Sequence, residues 1–86
     1  MQRWSTDRTE LDATVALQLA MERGTQVAVL IRSSSSLPGR VVIGVPVDFR
    51  MARDGRERVV LRIQQDTYQF LLLERIARVS PSYRDG

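Results

Sequence analysis

The sequence contains no cysteine, no histidine and no lysine. Without cysteine there is no disulfide framework and no thiolate to act as nucleophile or ligand, which suits a reducing compartment. With histidine missing as well, a structural zinc site is excluded and a catalytic one is not expected. The usual general base and the usual soft nucleophile are absent together. No enzyme is expected, and no catalytic, cofactor-binding or metal-ligating residues. No uninterrupted apolar run comes near the roughly 20 residues needed to span a bilayer. The N-terminus lacks the basic-then-apolar layout of a signal peptide. The expectation is a soluble, cytoplasmic protein that does not enter a membrane.

What is present fits one small folded domain. The chain has 86 residues, of which 43% are hydrophobic, enough to argue against disorder. A chain of this length buries only about 60–65% of its unfolded surface, so its core is small. All thirteen basic residues are arginine, against ten acids, for a net charge of +3. Arginine without lysine follows from a coding bias or from selection for planar, bidentate recognition of phosphate or carboxylate. A charge of +3 permits a nucleic-acid partner without requiring one.

Residues 1–7 form a polar lead-in with the single tryptophan, Trp4, which either packs back on the body or offers a stacking or partner surface. A helix is expected over 8–23. Asp7 with Glu10, or Thr9 with Asp12, has capping-box spacing. Leu11, Val15 and Leu19, with Ala16 and Ala20, make an apolar stripe that Ala13, Leu17 and Met21 widen. Gly24 stands where a left-handed helix stop belongs.

Strand patterns follow. Residues 25–32 alternate weakly, and Ser33–Ser36 with Leu37-Pro38-Gly39 make a connection, either simply solvated or able to hold a phosphate. Residues 40–51 form a strand with Gly44 and Pro46 inside it, which marks a sharp bend. Asp54-Gly55 signals a hairpin. Residues 59–64 then place Val59, Leu61 and Ile63 on one face. After a break at Gln65-Asp66, Tyr68, Phe70 and Leu72 alternate with Gln69, Leu71 and Leu73. Glu74-Arg75 punctuates, 76–79 make a last short strand, and 80–86 are a tail. Leu71, Leu72 and Leu73 are consecutive, so both faces of one strand are apolar. Either the sheet closes into a barrel with the helix across one mouth, or a second subunit covers the outer face. No strand–helix–strand crossover occurs, so the sheet is expected to be antiparallel. The fold class is mainly β with one N-terminal helix, a strongly bent five-stranded barrel over 25–79.

Candidate site residues gather around the bent strand. Asp48, between Val47 and Phe49, serves either as an acceptor for loop amides or as a carboxylate that orients a ligand or an arginine. Arg50, Arg53, Arg56 and Arg58 surround Asp54-Gly55, Arg40 starts the strand before it, and Arg75, Arg78 and Arg84 come later. They form either a solvated hairpin tip or an edge that contacts phosphates, with Phe49 or Tyr68 available for stacking.

Two family resemblances bear on these residues. The Asp48-x-x-Met51 spacing resembles the first Sm motif, although Ala52 stands where that family has a base-binding Asn. Ile76-Ala-Arg-Val79-Ser-Pro81-Ser82 is similar to the last strand of bacterial Hfq proteins. Leu17-Gln-Leu-Ala20, Val27-Ala-Val29 and the segment 67–81 look like the Rof family of Rho-termination inhibitors, small Sm-like barrels with an N-terminal helix. The resemblance implies an SH3/Sm-like barrel and a non-catalytic binding module for RNA or other nucleic acid, acting as a homo-oligomer through edge strands. Asp48, Phe49, Arg50, Arg53, Arg56 and Arg75 would contact nucleic acid. Leu71, Leu73, Ile76 and Trp4 would form the protein interface. The alternative implied is a Rof-like regulator, in transcription termination or as a mobile-element accessory factor, that binds a partner protein through the N-terminal helix.

Overall fold

The computed structural model describes the backbone of residues 5–82 and the side chains of residues 12–82. Helix α1 (Ser5–Arg23) leads into strands β1 (Val27–Ile31), β2 (Arg40–Met51), β3 (Glu57–Gln64) and β4 (Thr67–Leu72), a 3₁₀ turn (Leu73–Arg75), and β5 (Ile76–Pro81). The expected boundaries hold for β2, while α1 begins three residues earlier than 8 and β5 runs on through Pro81. Trp4 and the side chains of Asp7, Thr9, Glu10 and Leu11 lie outside the described residues. Helix α1 ends in a Schellman motif: Thr25 N–H donates to Ala20 O (3.0 Å) and Gly24 N–H to Met21 O (3.3 Å), with Gly24 at φ +67°.

The five strands form one antiparallel sheet in the order β4-β3-β2-β1-β5. Strand β2 belongs to both halves of it. Its residues Arg40 to Gly44 pair with β1, and Val45 to Met51 pair with β3. The change of partner falls at Gly44, followed by a bulge between Pro46 and Asp48. Gly44 is needed there because a Cβ would lie 2.8 Å from Arg62 O and 3.0 Å from Ile63 Cδ1. Pro46, which cannot donate to a ladder, is fully buried beside the bulge. The bend folds the two halves over one cluster that includes Val29 and Ile31 of β1, Val42 of β2, Val59 and Leu61 of β3, and Leu71 of β4.

Two expectations need correcting. The helix presents Ala13, Leu17 and Ala20 to the core, not Val15 and Leu19, which are 52% and 43% exposed. Small side chains on both flanks of Leu17 let the helix backbone approach the sheet closely. Nor does the sheet close by hydrogen bonding, since β4 and β5 remain as edges joined only through the 3₁₀ turn. The two halves still meet on the concave side. With the Gln69 amide oriented so that Oε1 faces the guanidinium, it accepts from Nη1 and Nη2 of Arg40, both at 3.1 Å.

The crowded leucines resolve without a partner subunit. Leu71 and Leu73 point into the chain's own core at 4% and 7% exposure, Ile76 is buried at 1%, and Leu72 alone takes the other face, half-buried. Leu71, Leu73 and Ile76 therefore offer no surface to another chain, because their apolar area is already removed from water within the monomer.

Candidate nucleic-acid interface

The convex face of β2, β3 and β4 is organised in three rows by strand register. Tyr68 lies opposite Arg62, which lies opposite Val45; Phe70 opposite Val60, opposite Asp48; Leu72 opposite Arg58, opposite Arg50. Val60 is buried between its neighbours at 6%, whereas Tyr68 and Phe70 are 51% and 56% exposed on the free edge strand. An aromatic column therefore stands beside a column containing two arginines, a pairing suited to bases and phosphates.

Three arginines at the hairpin end, Arg50, Arg56 and Arg58, each lie against an acid. Asp48 accepts from Phe49 N–H (2.9 Å) and from Arg50 Nε (2.8 Å). The Arg50 hydrogen bond, with help from the Phe49 amide, holds the Asp48 carboxyl below its ordinary value. Asp54 takes a fork from Arg58, with Nη2 at 3.2 Å and Nη1 at 3.4 Å, and accepts from Arg56 N–H at 2.9 Å. Its pKa is lowered too, first by Arg58 and then by the Arg56 amide. The Arg56 Nε lies 3.8 Å from Glu74 across the gap between the hairpin tip and the 3₁₀ turn. Such exposed pairs contribute at most about 1 kcal/mol each. They do cancel local positive charge.

The hairpin brings Asp48, Arg50, Arg53, Arg56 and Arg58 to one end of the sheet, and of these arginines Arg53 has no acid partner among the described residues. Two expected contacts take other roles. The Phe49 side chain is partly buried and packs on the core, so its ring is not a free stacking platform. Arg75 Nη2 donates to Arg32 O (2.7 Å), while Arg32 N–H donates to Arg75 O (2.9 Å) and Arg32 Nη2 to Ile76 O (3.3 Å). This exchange ties the end of β1 to the 3₁₀ turn and occupies Nη2 of Arg75. In the serine connection, Ser34 Oγ accepts from Leu37 N–H at 3.1 Å, a local turn contact.

Sequence reasoning passed over Phe70, Arg62 and three glutamines. Gln26, Gln64 and Gln65, with Gly44, Val45 and Arg62, line a hollow of about 370 Å³ where β2 bends past the β3–β4 turn. Gln26 and Val45 also line a larger, mainly apolar groove of about 630 Å³ between the end of α1 and the end of β5, walled by Leu19, Val79 and Pro81. The Tyr68/Phe70/Leu72 alternation was the available signal, since inward Leu71 on the same strand leaves those residues on the other face. Among the described residues no helix is long and apolar enough to cross a membrane. No protein-family model, curated protein or solved structure matches the chain.

Proposed function

We propose that the protein is a non-catalytic, cytoplasmic Sm-like module that binds single-stranded RNA as a homo-oligomer. The observation that carries this is the edge strand β4, where exposed Tyr68 and Phe70 run beside Arg62, an arginine with no acid partner among the described residues. Aromatic faces stack on bases irrespective of sequence, and a free guanidinium takes a phosphate. Assembly follows from the two unpaired edges. Pairing β4 of one copy with β5 of the next makes a head-to-tail contact that closes into a ring when the rotation permits. The test is fluorescence anisotropy of labelled single-stranded RNA at low ionic strength, with a light-scattering mass. Salt-dependent binding by a pentamer to heptamer of the 9.8 kDa chain supports the proposal. Absence of any salt-dependent binding rejects it.

A second reading is a protein-binding regulator acting through the helix, and the exposed Val15 and Leu19 beside the larger groove favour it. A monomeric mass, with a captured partner lost on Leu19→Arg and kept on Arg62→Gln, would support that reading over the first.

A further inference from the structure

We propose that the hollow at the β3–β4 turn is a nucleotide subsite, with Arg62 holding a phosphate, Tyr68 stacking one base and the glutamines addressing the edge of the next. This rests on the RNA reading above and places the contact at the opposite end of β3 from the arginine hairpin. Most of the described arginines are already engaged. Arg50, Arg56 and Arg58 face acids, Arg32 and Arg75 hold backbone carbonyls, and Arg40 is engaged with Gln69. Among the described residues this leaves Arg23, Arg53, Arg62 and Arg78 without such a partner. Of these four, Arg62 alone both lines a hollow and stands in register with an exposed aromatic, Tyr68.

The hollow suits a base. Its volume of about 370 Å³ falls at the small end of the roughly 300–1,000 Å³ typical of ligand pockets. Gln26, Gln64 and Gln65 each bring an amide that donates and accepts, as the edge of a base requires, and Val45 and Ile63 supply apolar wall. Among the described residues no carboxylate lines it, the nearest in sequence being Asp66, which follows Gln65 in the turn. Gly44 contributes backbone to the lining.

The experiment is anisotropy of the full chain with labelled oligo(U), oligo(A), oligo(C) and oligo(G) across a salt series. Arg62→Gln is expected to weaken binding about tenfold and to lower the log–log salt slope by about one. Tyr68→Ala should cost about tenfold through the lost stack. Gln64→Ala with Gln65→Ala should change the ranking of the four oligomers by about fivefold or more and leave the slope alone. Arg53→Gln removes the same charge at the hairpin and should weaken binding by less than about twofold. The altered residues are exposed, and thermal melts check that each variant folds. Amide shifts of the unaltered chain give a second measure: Gln26, Gly44, Gln64 and Gln65 should move on adding oligomer while residues 52–56 stay in place. Wild-type binding with equal losses for Arg62→Gln and Arg53→Gln, an unchanged ranking, or shifts confined to the hairpin overturns the subsite and leaves RNA binding standing. No binding by the wild type overturns both.

Discussion

Gly44 and Arg62 approach so closely that a Cβ on the glycine would sit 2.8 Å from the arginine's carbonyl oxygen. That approach lets β2 leave β1 and take up β3 within one residue. The atom in the way is backbone, so it cannot rotate aside. Gly44→Ala is expected to destabilise the fold by about 1–3 kcal/mol, in the range of overpacked cores. At roughly 4–8 °C per kcal/mol for a domain of this size, a thermal melt should show a drop of roughly 5–20 °C. An unchanged midpoint would mean that the bend does not depend on this contact.

Arg75 and Arg32 exchange hydrogen bonds across 43 residues, each using the other's carbonyl as acceptor. The guanidinium of Arg75 is thus committed to holding the 3₁₀ turn against the end of β1. Arg75→Ala should lower stability by about 0.5–1.5 kcal/mol, the usual worth of one such bond. It should leave the salt slope of RNA binding unchanged. A lower slope with an unaltered melting temperature would return Arg75 to the phosphate-contacting set.

The same exchange shows why part of the structure was legible in the sequence and part was not. Strand β2 could be bounded because Gly39 precedes it and a turn sequence follows it, and the bend could be located because Gly and Pro both disfavour a flat central strand. Periodicity joins Val15 and Leu19 to Ala13, Leu17 and Ala20 in one wide stripe on α1, whereas only the last three are buried. Val15 and Leu19 look more like core than Ala13 and Ala20 until close approach to the sheet is considered. The rows on the convex face depend on bulges beside Val47 and Ile63, and a one-residue shift in either would turn side chains to the other face. Pairs such as Arg56 with Glu74 need the hairpin tip to meet the 3₁₀ turn, which no local pattern encodes.

Stability should fall at acid pH. Asp48 and Asp54 titrate below the ordinary value of 3.8 because Arg50 and Arg58 hydrogen-bond their ionised forms. A folded-state pKa below the unfolded one stabilises the fold fully above the unfolded value, and that contribution is lost as pH falls through the folded value. With no histidine and no cysteine in the chain, no side chain with an ordinary pKa between about 5 and 8 is present. Urea midpoints should therefore be level across that range and fall below about pH 4. Asp48→Asn and Asp54→Asn should each start slightly lower, fall less steeply, and meet the wild type at the acid end. A steeper acid fall in either variant would contradict the assigned pairs.

Asp54 also restrains the hairpin as a phosphate-binding element. Its carboxylate is forked by Arg58 and capped by the Arg56 amide, so the basic tip carries less net charge than its arginines imply. Asp54→Asn raises the chain's formal charge by one and removes the ion pair of the Arg58 guanidinium, leaving it the Arg56 carbonyl as acceptor beside Leu72 on the convex face. If RNA lies along β3 and β4, the freed arginine comes within reach of one more phosphate. RNA binding should tighten and the log–log salt slope should steepen by about one. Arg58→Gln added to Asp54→Asn should restore the original slope. Asp54→Asn with no change in slope would mean that the bound strand does not extend as far as the hairpin end of β3.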